Sequence, residues 1–169
     1  MTPTIETSIW LALKSRIDTL SPEQEEIKPW GEMIAGVDPW GGTWIPPDKV
    51  FDKAWPAETF EAPYSSAPGL NPYLRIGRVS VAPVRQLIAP GKPHMRTGFL
   101  MITLVHPLGQ DLSVYDQIAG NIAAHFADGV QMTYGVVCVS ITSYPHVQEG
   151  YEDNGYWTVP VRIPWRCYA

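Results

Sequence analysis

Proline restricts the folds open to this chain more than any other residue does. Seventeen of the 169 residues are proline, about twice the usual share of ~5%. Proline lacks a backbone N–H and its ring clashes with the preceding helical turn, so long helices are disfavoured. Nine of the prolines and four of the seven tryptophans fall between residues 22 and 72, where no helical or strand period persists. A bundle of long helices is therefore not expected.

Residues 22–54 are predicted to form an irregular arm. The arm contains runs such as Pro29-Trp30-Gly31 and Trp44-Ile45-Pro46-Pro47. Tryptophans bury large apolar areas, which argues against a solvated linker. Structureless stretches of this length are uncommon inside a compact domain and tend to be functional. We expect a proline-stiffened insertion that packs on its own domain or on a neighbour. An irregular cap over a sheet edge is the alternative.

Two segments carry the apolar spacing of short helices. The first follows Thr2, a predicted N-cap, with Pro3 at the first helical position, and ends at Ser21-Pro22. The second runs from about Asp111 to Asp128, with Asp111 or Ser113 as N-cap and Gly129 suited to the C′ position. The predicted buried stripes are Ile5, Ile9, Leu13, Ile17 and Leu20 in the first helix, and Leu112, Tyr115, Ile118 or Ala119, Ile122 and Phe126 in the second.

Four segments predict strands: 73–81, 97–106, 134–144 and 156–166. The first two indicate a long hairpin with a basic tip and a bulge at Gly77. In the last segment Pro160 and Pro164 share one face, and since proline donates no ladder hydrogen bond, part of this strand should lie at a sheet edge. The chain is thus predicted to be one α+β domain, 1–169. About four strands would form a mixed or antiparallel sheet with both helices on one face.

Charge is distributed unevenly along the chain. The net charge is −5, but residues 21–61 sum to −6 and residues 70–100 sum to +5 with no acid. The overall sign disfavours a DNA-coating protein. The two blocks are either ordinary solvated loops or complementary surfaces of neighbouring copies. The basic residues are Arg75, Arg78, Arg85, Lys92 and Arg96.

No catalytic motif rises above background. There is no phosphate-binding glycine loop and no nucleophile elbow. The four histidines show no metal-ligand spacing, and Cys138 and Cys167 are expected to be buried thiols in a reducing compartment. No apolar run reaches the ~18 residues of a transmembrane helix, and the N-terminus lacks the pattern of a secretory signal. We therefore expect no enzyme activity, cofactor or metal.

An ordered set of short motifs resembles a known family. They are a short amphipathic N-terminal helix, Trp55-Pro56, Phe60-Glu61-Ala62-Pro63, Asn71-Pro72-Tyr73-Leu74-Arg75, Thr97-Gly98-Phe99-Leu100, His106-Pro107-Leu108-Gly109, Phe126-Ala127-Asp128-Gly129 and Trp157-Thr158-Val159-Pro160-Val161-Arg162-Ile163-Pro164-Trp165. Together they resemble the tail terminator, or tail completion, proteins of long-tailed bacteriophages. The resemblance covers residues 1–20 and 55–169, and 22–54 departs from it as an insertion.

The resemblance implies a structural virion protein. It implies a ring, expected to be hexameric, that caps the head-proximal end of the tail tube, ends tube polymerisation and offers the attachment surface for the head–tail connector. The implied partners are further copies of the chain, the tail tube protein and the connector protein. No membrane is implied, and DNA would only pass through the ring lumen. Assembly would take place in the host bacterial cytoplasm.

A cyclic ring needs two unlike surfaces on each protomer, and the acidic and basic segments offer them. Residues expected at an interface with another subunit or with the tube are Arg75, Arg78, Arg85, Lys92, Arg96, Trp40 and Trp44. Other connector, minor tail or baseplate proteins remain alternatives. A small hydrolase using His94 or His106 with a carboxylate is a further one.

Overall fold

The computed structural model describes residues 3–20, 51–61, 72–85, 94–109 and 111–169, with the backbone alone at Arg85. The predicted arm, including Trp40 and Trp44, lies outside the described residues except for positions 51–54. Lys92 lies outside them as well. The interface role expected of these three side chains stays a prediction.

Both predicted helices are present, and each begins at a residue whose side chain caps its N-terminus. Helix α1 spans Ile5–Asp18, and its N-cap is Thr4, whose side chain accepts a hydrogen bond from the Thr7 N–H. The predicted cap two residues earlier is wrong, because Thr4 satisfies a free N–H of the first turn. Helix α2 spans Leu112–His125, with the predicted Asp111 as N-cap. Of the two apolar stripes, only the first members, Ile5 and Leu112, are exposed.

Nine strands occur within the described residues. They are β1 (Asp52–Ala54), β2 (Tyr73–Ser80), β3 (Val84–Arg85), β4 (His94–Pro107), β5 (Gln131–Tyr134), β6 (Val137–Ile141), β7 (His146–Val147), β8 (Tyr151–Asp153) and β9 (Tyr156–Tyr168). Six of them form one sheet in the order β1-β2-β4-β9-β6-β5, while β3 pairs with β4, and β7 and β8 pair with β9. The β1–β2 pair is parallel.

The α+β class and the mixed sheet are as predicted, but the expected number of about four strands is wrong. The single strand predicted for 134–144 is wrong, because Gly135, with φ 59°, turns the chain between β5 and β6. Phe51 is buried and the adjacent β1 joins the sheet edge, although both fall inside the predicted arm. β3, β7 and β8 are two or three residues long, too short to show a period.

Strand β2 runs antiparallel to β4 in an unbroken register from Tyr73↔Val105 to Ser80↔Gly98. The bulge predicted at Gly77 is therefore wrong, since Gly77 pairs directly with Met101. Residues 86–93, at the tip of the predicted basic hairpin, lie outside the described residues. The long basic hairpin accordingly remains a prediction.

Strand β9 is central rather than an edge strand, which corrects the prediction drawn from its prolines. One flank pairs with β4 along its whole length, and the other pairs in pieces with β6, β7 and β8. The carbonyls of Pro160 and Pro164 accept from Gln148 and Thr142 on the interrupted flank. Because a strand residue directs its N–H and C=O to the same side, the missing proline N–H groups also face that flank.

The two faces of the sheet differ. One face, the helix face, carries alternate residues such as Leu104 and Val161, which form a continuous core with Ile9 of α1 and Ile122 of α2. Both helices therefore lie on this face, as predicted. The other face, called the second face below, carries the intervening residues of β2, β4 and β9.

Candidate interaction surface

Two of the predicted interface arginines hold α1 against the sheet. Arg78 Nη1 donates to the Glu6 carbonyl at 3.2 Å, and the Arg78 guanidinium lies 5.6 Å from the centre of the Trp10 ring. Arg96 forms an ion pair with the Glu6 carboxylate. These contacts join residues 72 and 90 positions apart. Arg78 and Arg96 thus have partners within their own subunit.

The segment after β1 packs on the middle of α1. The rings of Trp55 and Trp10 meet edge to face with centroids 6.0 Å apart, and Lys14 Nζ lies 4.3 Å from the centre of the Trp55 ring. Lys53 Nζ donates to the Asp18 carbonyl at 3.4 Å. Burial lowers the pKa of Lys53, and Asp18 opposes that shift. The Trp55-Pro56 motif therefore has a clear structural role in attaching the sheet edge to α1.

The ends of the two helices bind each other through Arg16 and His125. Arg16 Nε and Nη2 donate to the His125 carbonyl at 3.2 and 2.6 Å. His125 Nε2 donates in return to the Arg16 carbonyl at 3.0 Å. Burial lowers the pKa of His125, the bond to Arg16 opposes this, and the charges of Arg16 and Lys53 lower the pKa further. Arg16 thus places a cation at the C-terminal end of α2.

Three arginines lie on the second face. Arg75 on β2 and Arg166 on β9 are exposed, and Arg162 is half-buried. The Arg162 guanidinium lies 3.5 Å from the centre of the Phe99 ring, a cation–π contact, and that of Arg166 lies 5.9 Å from the Tyr168 ring. Of the three, only Arg75 was predicted at an interface. The alternating sequence of the last strand predicts that Arg162 and Arg166 share one face of the sheet. It does not predict that both described helices pack on the opposite face.

The five basic residues of 70–100 do not form one surface in the described residues. Arg75 lies on the second face, whereas Arg78 and Arg96 contact α1. Arg85 is placed by its backbone pair with His94 at the start of β4. The shared positive charge of the segment is thus divided between the two faces.

The hydrolase alternative names either His94 or His106 with a carboxylate. His94 and His106 stand near opposite ends of β4, roughly 40 Å apart at ~3.4 Å per residue. His106 Nδ1 donates to the Pro107 carbonyl at 2.9 Å, and its ring lies 5.1 Å from that of Tyr115. Burial lowers the pKa of His106, and the bond to Pro107 opposes this. The contacts of His106 are those of a packed structural side chain.

The remaining candidate chemistry is sparse. Cys138 and Cys167 are free thiols, half-buried and buried, and burial raises the pKa of Cys167. In the described part of the chain, no three His, Cys, Asp or Glu side chains gather as a metal site. No helix in that part is long and apolar enough to cross a membrane.

Comparison with known proteins identifies the family. A family model described as phage tail terminator protein matches residues 8–165, nearly the whole chain. The chain belongs to the phage tail terminator family. It is thus a structural protein of the bacteriophage tail. Motifs of the N-terminal helix, of β4 and of β9 that carried the resemblance lie within the matched range.

A solved structure whose name states no function resembles the fold. It aligns with a TM-score of 0.50 and 17% identity, over 69% of this chain and 79% of that one. The likeness concerns the fold alone. A search of curated proteins gave no match.

Proposed function

We propose that this terminator subunit closes into a ring, with six copies expected, at the head-proximal end of the tail tube. The ring ends tube polymerisation and presents the surface to which the head–tail connector attaches. The family match over residues 8–165 carries the proposal. Assembly in the host cytoplasm and passage of DNA through the lumen belong to the same proposal.

The surface chemistry of the subunit supports a ring. A cyclic assembly joins each subunit to two neighbours through different surfaces. The helix face is covered by α1 and α2, whereas the second face exposes Arg75 and Arg166. The subunit therefore offers chemically unlike surfaces, as head-to-tail contacts require.

The interface residues predicted from the sequence keep separate roles in this proposal. Arg75 is exposed and can reach a neighbouring subunit or the tube. Arg85, Lys92, Trp40 and Trp44 are proposed as further contact residues. Arg78 and Arg96 hold the N-terminal turn of α1 in place.

Particles made without this protein test the proposal most simply. Electron microscopy should show overlong or headless tails, because nothing would stop the tube or join it to a head. Heads that leak their DNA would instead indicate a connector role. Light scattering of the purified chain, with and without tail tube, is the companion test. A strict monomer under both conditions contradicts the ring.

A further inference from the structure

The long strands give the subunit two distinct ends. β4 and β9 are antiparallel, so Pro107 lies beside Tyr156 at one end and Met95 beside Tyr168 at the other. The hairpin of β8 and β9 belongs to the first end. The start of α2 lies there too, since the Tyr115 hydroxyl donates to the Pro107 carbonyl at 3.0 Å. Most charges near the two ends follow this axis, whereas Arg75, opposite Thr103, does not.

The first end is acidic. No lysine or arginine occurs between Arg96 and Arg162, and the stretch supplies both the start of α2 and the β8–β9 hairpin. Five carboxylates, all exposed or half-exposed, lie in or next to these two elements. The acidic end is defined by Asp111, Asp116, Glu149, Glu152 and Asp153.

The opposite end is basic. Arg166 on β9 lies opposite Thr97 toward this end, and Arg96 lies beside the N-terminal turn of α1. Arg78 and Arg162, opposite Leu100 and Met101, lie near the middle of the long strands. The single ion pair among the described residues joins Arg96 to Glu6. Within those residues, Arg162 and Arg166 have no carboxylate partner and lie instead over aromatic rings. The basic end is defined by Arg96 and Arg166.

Exposed apolar side chains concentrate at the same two ends. Of the eleven large exposed hydrophobic side chains in the described residues, only Tyr144 lies elsewhere. The acidic end carries Leu108, Leu112 and Tyr151. The basic end carries Ile5, Val79, Val81, Val84, Tyr134, Val136 and Tyr168. Apolar groups rimmed by charge mark surfaces that partners cover.

We infer that the acidic end of one subunit docks on the basic end of the next copy of this chain. The inference rests on the proposed ring and names its interface. Opposite charges on one chain favour contact between unlike ends and oppose contact between like ends. Such a head-to-tail contact is heterologous and repeats until the ring closes. The apolar side chains at both ends supply the area that becomes buried.

Charge reversal at each end tests the interface. The acidic-end variant carries Glu149→Lys and Glu152→Lys, and the basic-end variant carries Arg166→Glu. Glu58→Lys with Asp128→Lys is the matched control, because it makes the same charge change on exposed residues after β1 and after α2. Native mass spectrometry and light scattering at a series of protein concentrations report assembly, with tail tube added where the wild type requires it. Circular dichroism confirms that each variant is folded.

Each variant alone should need at least about tenfold more protein for half-assembly, as expected from like charges brought together. An equimolar mixture of the two variants should recover assemblies containing both chains. In the mixture every contact can again join opposite charges. The lysines introduced at the acidic end of one variant meet the glutamate introduced at the basic end of the other, and the unchanged acidic end meets the unchanged Arg166. The control variant should assemble like the wild type.

Three results would overturn the inference. The single variants could assemble like the wild type, or the mixture could fail to recover assemblies. Alternatively, the variants could form normal rings that no longer bind the tube or the connector, which would make these ends axial contacts. Each of these leaves the proposed ring standing. A wild-type chain that stays monomeric even with tube contradicts the ring and this interface together.

Discussion

Gly98 offers the sharpest test of the packing on the helix face. It lies on β4 between Ser80 and Trp165. A Cβ at this position would collide with the Val79 carbonyl oxygen and would stand 2.5 Å from Cζ2 of the Trp165 indole. Trp165 is 2% exposed and belongs to the core cluster, so the ring cannot turn outward without leaving the core. Gly98→Ala should therefore strongly destabilise the fold.

The magnitude follows from the cost of overpacking. Extra atoms in a packed core cost typically about 1–3 kcal/mol, and here one obstacle is backbone, so the upper part of that range applies. Alanine reduces the entropy of the unfolded chain, which offsets about 0.4–1 kcal/mol. The net loss is about 2 kcal/mol, or roughly 4–8 °C in Tm for a chain of this size.

Gly77→Ala is the matched control. Gly77 lies on the adjacent strand β2 and faces the other side of the sheet, where a Cβ would stand 3.8 Å from the Met101 Cβ. This is ordinary van der Waals contact, so the free energy of unfolding should change by less than about 1 kcal/mol. Urea denaturation followed by tryptophan fluorescence compares the two variants. Equal stability of Gly98→Ala and Gly77→Ala would refute the packing described for Trp165.

Three further predictions concern stability. Burial holds the pKa of His106 and His125 below the ordinary value of 6.5, so below about pH 6.5 the unfolded chain binds protons that the folded chain does not. We expect the contribution of these two histidines to the free energy of unfolding to be constant above pH 6.5. As the pH drops below 6.5, the free energy of unfolding should decrease, and the decrease should be smaller for His125→Gln. Denaturation at a series of pH values measures it. Thr4→Ala removes the α1 N-cap and should cost about 1 kcal/mol in urea denaturation, whereas Thr4→Ser should be nearly neutral. Leu104→Ala empties a fully buried site and should lower the free energy of unfolding by about 2–5 kcal/mol, against a small change for Leu112→Ala on the surface.

The spacing of apolar residues in the sequence predicted the elements that bury one regular face, namely α1 and β9. The alternation from Trp157 to Trp165 predicted a long strand with one core face, and β9 is that strand. The stripe containing Ile9, Leu13 and Ile17 predicted α1. Such patterns follow from the geometry of the helix or strand itself and do not depend on which element packs against it. They can therefore be recognised in a single sequence.

Features that depend on distant partners were not predictable. β1 is three residues long and exists because it pairs in parallel with β2, which no local period reveals. The prolines of β9 indicated an edge, yet the neighbouring flank is merely interrupted beside them. The sequence shows that Pro160 and Pro164 cannot donate a backbone hydrogen bond. It does not show that the strands pairing with β9 are interrupted beside these prolines.

The candidate surface was only partly predictable for the same reason. The charge blocks indicated that Arg75, Arg78 and Arg96 share one segment, but Glu6 pairs with Arg96 only once the fold is formed. Arg162 and Arg166 belong to no charge block and gain significance because antiparallel pairing directs them to the second face. Surface charge along the strand axis is thus a property of the topology.

Imaging the intact virion by cryo-electron microscopy at the junction of tail and head tests the central claim most directly. We predict a closed ring of identical copies of this chain between the tube and the connector, with unlike ends of adjacent subunits in contact. A single isolated copy, or density for this chain elsewhere in the particle, would contradict the account.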